Sequence, residues 1–124
     1  MPTRERVRAF LDVVESGDHV RAIADFYHVD ASMQENTKPP RVGRDVLMAH
    51  EASALAKLQR MHTHPATTVL IDGDNVMIQW TFDAISHSGA ARRLEEVALQ
   101  QWRGDRILVE RFFYDTATAW QPVE

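Results

Sequence analysis

The chain contains no cysteine, which excludes disulfides, thiolate nucleophiles and cysteine-bound zinc. That absence is compatible with a reducing cytosol. No stretch approaches ~18 continuous apolar residues, so no helical membrane span is predicted. The opening MPTRERVRAF carries charge where a signal peptide would need an apolar run, and the expectation is a soluble, cytoplasmic protein. A basic excess is missing as well: a net charge of −4 offers no electrostatic footprint for nucleic acid. Arg92 and Arg93 come nearest to a basic patch, but Glu95 and Glu96 follow at once, which reads as a solvated strand edge. There is no internal repeat, low-complexity tract or linker. What is present is an ordinary globular composition, 44% hydrophobic and 26% charged, over 124 residues. That length suits a single domain, residues 1–124, able to bury roughly two-thirds of its unfolded surface.

The first third has helical spacing. Val7, Phe10, Leu11 and Val14 fall at i, i+3, i+4 and i+7, one apolar stripe behind a capping Thr3. The run SGD at 16–18 closes that helix, and Asp18 caps a second short one carrying Val20, Ile23, Ala24, Phe26 and Tyr27. A short extended piece, DASMQEN, then leads into a loop with Pro39 and Pro40, which fix φ and prevent a helix from running through. Gly43 releases the constraint. A third helix is predicted from Arg44 to about Arg60, with Asp45 at its positive end and an apolar face of Leu47, Ala54, Leu55 and Leu58.

From His64 the period changes to two. Val76, Ile78, Trp80, Phe82 and Ala84 alternate with Met77, Gln79, Thr81 and Asp83. Turn residues DGDN, SHSGA and RGD separate four strands of a meander, predicted at roughly 66–71, 76–86, 91–102 and 106–114. LEEVALQQW and RILVERFFY are apolar on both faces, so the sheet needs cover on each side. Helices can cover one face; a second subunit is expected on the other, which predicts a homodimer.

The order FYHVDASMQEN, PP, GRD and a terminal RFFYD resembles the nuclear transport factor 2-like superfamily, including SnoaL-like polyketide cyclases, ketosteroid isomerases and limonene epoxide hydrolases. The resemblance spans nearly the whole chain. It implies an α+β fold, a curved antiparallel sheet wrapped around N-terminal helices into a cone-shaped barrel, with one apolar pocket and usually a dimer. It also puts Glu35 in the position of the isomerases' general base. The isomerase oxyanion-hole positions, a Tyr and a protonated Asp in that enzyme, correspond here to Phe10 and Ala98, which have no side-chain donor. The Asp-Arg-Asp set of the epoxide hydrolases corresponds to Trp80, Phe82 and Phe112, so all three charges are missing.

Even-numbered strand positions facing inward would line the pocket with Ile78, Trp80, Phe82, Ala98, Trp102, Phe112 and Tyr114, with Glu96, Gln100 and Glu110 as polar members. Tyr27 and Met33 complete the predicted ligand-contacting set; plain core packing is the alternative for all of these. A carboxylate at an apolar cavity loses solvation and becomes a better base near neutral pH, which singles out Glu35. The alternative is a loop carboxylate in water or paired with Arg41 or Arg44. Glu110 or Glu96 and Tyr114 are candidate assistants, the two carboxylates with a cross-strand salt bridge as their alternative, and Tyr114 or Gln100 as donor to an enolate. His62 and His64 lie at i, i+2, but without cysteine or a carboxylate at ligand spacing no metal site is predicted. His50 reads as a surface or outer-layer residue, and His19, His28 and His87 receive no role. The expected function is cofactor-free proton transfer, an isomerisation, cyclisation or hydration, on a small hydrophobic cyclic molecule. The alternative is a non-catalytic ligand-binding or dimeric adaptor domain.

Overall fold

The computed structural model describes residues 1–123. Helix α1, Arg4–Glu15, starts where the Thr3 hydroxyl accepts the Arg6 amide at 3.0 Å. Its apolar stripe, Val7, Phe10, Leu11 and Val14, is buried as the spacing predicts, each side chain contributing about 1.5–3 kcal/mol. Phe10 meets Phe26, Tyr27 and Trp102 edge to face, with ring centroids 5.5–6.1 Å apart. Gly17, at φ 90°, turns the chain into α2, His19–Phe26, whose cap is Asp18.

Tyr27 was expected at the end of that helix. It instead takes extended geometry (φ −101°, ψ 144°) and opens strand β1, Tyr27–Glu35. A two-residue strand β2, Arg41–Val42, leads through Gly43 into α3, Arg44–Ala56. This helix ends short of the predicted Arg60, and only Leu47 of its expected apolar face is buried. Ala54 is exposed and Leu55 and Leu58 are half-buried; one turn after Leu47 an exposed His50 and a half-buried Glu51 border the cavity instead of apolar groups.

The strands that follow are β3 (Arg60–Thr63), β4 (Thr68–Asp72), β5 (Asn75–Ile85), β6 (Ala91–Arg103), β7 (Arg106–Phe113) and β8 (Gln121–Pro122). The meander from β4 to β7 is antiparallel and lies within a few residues of its predicted bounds. The sheet as a whole is mixed rather than antiparallel. Its order is β2-β1-β7-β6-β5-β3, with β4 also on β5 and β8 on β6, and β1 runs parallel to β7. The sheet does not close; it curves around the three helices as the predicted α+β cone.

Alternation decides the two faces. Val76, Ile78, Trp80 and Phe82 of β5 and Leu94, Glu96, Ala98, Gln100 and Trp102 of β6 all point inward and are buried. On the outer face the large apolar groups Leu99, Val109 and Phe113 stay about 40% exposed, with the Arg111 guanidinium 4.7 Å from the Phe113 ring centroid.

Candidate functional site

Between the helices and the concave face lies a half-open cavity of about 160 Å³. A cavity of ~150 Å³ holds a benzene-sized molecule. Its apolar walls come from Phe10, Ile23, Met33, Trp80, Phe82 and Phe112. Four carboxylates reach it from four elements: Glu35 of β1, Glu51 of α3, Glu96 of β6 and Glu110 of β7.

Glu35 stands at the mouth, its side chain about a third exposed, with Arg41 Nη2 3.7 Å from Oε2. The loop after it is firmly tied. Asn36, in the left-handed region at φ 49°, donates its amide to Phe112 O at 2.8 Å, and its side-chain oxygen accepts the Tyr114 amide at 3.0 Å. Lys38 N donates to Glu35 O at 2.9 Å, and Gln34 Nε2 donates to Lys38 O at 3.0 Å. The stiff loop thus anchors Glu35 to the end of β7. Of the two arginines weighed as its partner, Arg41 is the one present; Arg44 instead donates to Tyr27 O at 3.3 Å.

Beneath the cavity runs a buried chain of polar groups. Trp102 Nε1 donates to Gln100 Oε1 at 2.9 Å, Gln100 Nε2 donates to Glu110 Oε2 at 2.6 Å, and the Tyr27 hydroxyl donates to Glu110 Oε1. Burial lifts the Glu110 carboxyl to about 7, against the opposing pull of those two hydrogen bonds. Burial, with Glu110 beside it, raises Tyr27 well above the ordinary phenol range, so Tyr27 remains a donor. Glu110 therefore has no cross-strand salt bridge among the described residues; hydrogen bonds satisfy it.

Glu96 differs. It is buried, yet it has no hydrogen-bond partner among the described residues and opens on the cavity. Burial first, then the charges of Glu110, Glu35 and Glu51, push its carboxyl up to about 8. Across from it His19 packs edge-on against Phe82, with centroids 5.5 Å apart. Both ring nitrogens of His19 are engaged, Nε2 with Thr63 Oγ1 at 2.8 Å and Nδ1 with Glu51 Oε1 at 3.3 Å.

Of the predicted site residues, Tyr27, Met33, Glu35, Trp80, Phe82, Glu96, Glu110 and Phe112 are brought together as walls. Ile78, Ala98, Gln100 and Trp102 are fully buried and form no wall. Gln100 cannot serve an enolate, since both ends of its amide are held by Glu110 and Trp102. Tyr114 sits half-buried outside the lining, its hydroxyl raised by burial and by Glu35 and Glu96. Glu51, His19, His50, Arg41 and Trp120 also line the cavity, and none of them is among the predicted walls. The polar break in the apolar face of α3 at 50–51 was the available signal for two of them.

A curved sheet closed by helices over a cavity with ionisable walls is the ketosteroid isomerase-like, nuclear transport factor 2-like fold of similar solved structures. The SnoaL-like domain family matches residues 7–110, and the chain belongs to that family. No curated protein sequence matches it. Among solved structures it is similar to a protein named as a SnoaL-like polyketide cyclase from Mesorhizobium loti (20% identity, 92% of this chain and 100% of that one, TM-score 0.72). It is also similar to a protein of ketosteroid isomerase-like fold from Catenulispora acidiphila, solved with trimethylamine (20% identity, 94% and 90% covered, TM-score 0.76). A third is a protein named as a polyketide cyclase from Pseudomonas putida (16% identity, 95% of each chain, TM-score 0.77). At these identities the likeness carries the fold alone. No helix among the described residues is long and apolar enough to cross a membrane.

Proposed function

We propose that this chain is a cofactor-free proton-transfer protein, an isomerase or cyclase type, acting on a small hydrophobic ring-bearing molecule, with Glu96 as the group that moves the proton. The observation that carries this reading is the Glu96 carboxyl, buried, without a hydrogen-bond partner among the described residues, open to the cavity and raised to about 8. A carboxyl poised near operating pH gives or takes a proton with little driving-force penalty, and a base raised this far is strong when ionised. In the reaction the Glu96 carboxylate takes a proton from the carbon beside a carbonyl, the C–H electrons forming the enolate. The resulting acid returns the proton to another carbon or to oxygen. Glu110, held by Tyr27 and Gln100, keeps the floor rigid. Glu35, the base position by family resemblance, acts with Arg41 at the mouth. The exposed outer-face residues Leu99, Val109 and Phe113 fit a second copy of the chain.

The test is deuterium uptake at the α-carbon of a panel of cyclic ketones, followed by NMR for the wild type, Glu96→Gln and Glu35→Gln. Uptake catalysed by the wild type, rising as pH approaches 8 and lost in Glu96→Gln, is expected. Equal uptake in wild type and Glu96→Gln rejects the assignment, and loss only in Glu35→Gln returns the base to the mouth.

A further inference from the structure

The charge balance of the cavity is one-sided. Glu35, Glu51, Glu96 and Glu110 face it, and the one arginine among its walls, Arg41, lies at the mouth beside Glu35. The groups around Glu96 are His19 on α2, Tyr27 and Glu35 on β1, Arg41 on β2, His50 and Glu51 on α3, and Glu110 on β7. His19 has both ring nitrogens taken by Glu51 and Thr63. Glu51, Glu96 and Glu110 thus share no arginine or lysine among the cavity walls, and Glu96 and Glu110 are buried. Buried carboxylates without a counter-charge keep their protons. The same space is walled by aromatic rings, with Trp80 and Phe82 at 5.7 Å between centroids and tilted by 31°, and with Phe10 and Phe112 also among the walls. Aromatic faces and carboxylates together are the surroundings that attract an organic cation.

We infer that the cavity's ligand is an organic cation, a compact alkylated or ring ammonium, whose charge sits among Glu51, Glu96 and Glu110 and whose carbons pack on Trp80, Phe82 and Phe112. The inference rests on the proposed ligand cavity and names its substrate class. Its consequence is mechanistic: the entering cation takes the place of a proton, the Glu96 proton leaves to solvent, and the bound ligand makes the base available below the pH at which Glu96 ionises alone. The empty site holds the Glu96 carboxyl neutral below its midpoint; the occupied one holds a charge pair.

The experiment is isothermal titration calorimetry on the full chain with choline and with the neutral alcohol in which carbon replaces the choline nitrogen. Each is titrated between about pH 6 and pH 8 in two buffers of different ionisation enthalpy. Choline is expected to bind at least about tenfold more tightly than its isostere, releasing close to one proton. Its affinity should tighten by up to about tenfold per pH unit below the Glu96 midpoint. In Glu96→Gln choline should still bind, with less proton release than the wild type, since the raised Glu110 carboxyl remains. Tighter binding of the alcohol, choline binding without proton release, or no choline binding at all overturns the inference. Ketone exchange that depends on Glu96 while choline fails to bind leaves the proton-transfer reading standing and removes the cation. Choline binding with proton release and no ketone exchange does the reverse.

Discussion

Replacing Glu96 by Gln should stabilise the protein, by an amount that grows with pH. In the folded state the carboxyl rises from an ordinary 4.5 to about 8 because it is buried near three other carboxylates. A raised folded value means that the folded state binds the proton more tightly than the unfolded one. The favourable contribution is therefore complete below about 4.5 and is lost progressively as pH rises towards 8. At about 1.4 kcal/mol per pH unit, the shift corresponds to roughly 4 kcal/mol removed from wild-type stability between those limits. Part of the shift is shared with Glu110, so the two sites do not add. Glutamine keeps the shape of the protonated acid and has no charge to bury. Urea unfolding at fixed protein concentration should give nearly equal stabilities near pH 5 and a variant more stable by about 2–4 kcal/mol near pH 8. Parallel stability curves for the two proteins would refute the reasoning, since they would mean that Glu96 ionises as easily in the fold as out of it.

Three further outcomes are expected. Gln100→Leu leaves the Trp102 indole N–H and one Glu110 oxygen without partners in the core and should lose about 2–4 kcal/mol in urea unfolding, more than an isosteric change at an exposed site. Asp83, lowered to about 2 chiefly by the Arg93 hydrogen bonds and by His64, contributes stability that is present above its ordinary 3.8 and lost as pH falls through 2. Asp83→Asn should therefore flatten acid unfolding followed by circular dichroism over that range. Light scattering should give twice the 14.2 kDa chain mass for the wild type and the chain mass itself for a Leu99→Asp/Phe113→Asp double variant, since Leu99 and Phe113 lie partly exposed on the outer face.

Much of the fold was legible because burial and periodicity coincide. The alternation in β5 and β6 identified most inward residues, with Asp83 buried out of phase, and the stripe of α1 was buried as spaced. Pairing partners are a different matter. Nothing local in DASMQEN says that it will lie parallel to β7, since that neighbour is set by how the whole chain wraps its helices. The apolar look of Ala54, Leu55 and Leu58 misdirected the reading of α3, whose inner face is polar where it meets the cavity. In the site, alternation put Glu96, Gln100 and Glu110 on one face but could not rank them. Rank comes from three-dimensional partners: Glu110 and Gln100 satisfy each other, and Glu96 faces the cavity without a hydrogen-bond partner among the described residues. Glu35 was conspicuous because of its loop, and the loop does hold it, but at a mouth shared with Arg41 rather than within the apolar interior.

The most direct test of the account is a carboxyl-carbon NMR titration of glutamate-labelled protein, wild type against Glu96→Gln. The account predicts a glutamate resonance with a midpoint near 8 that disappears in the variant. A wild-type spectrum in which every glutamate titrates in the ordinary carboxylate range would contradict it.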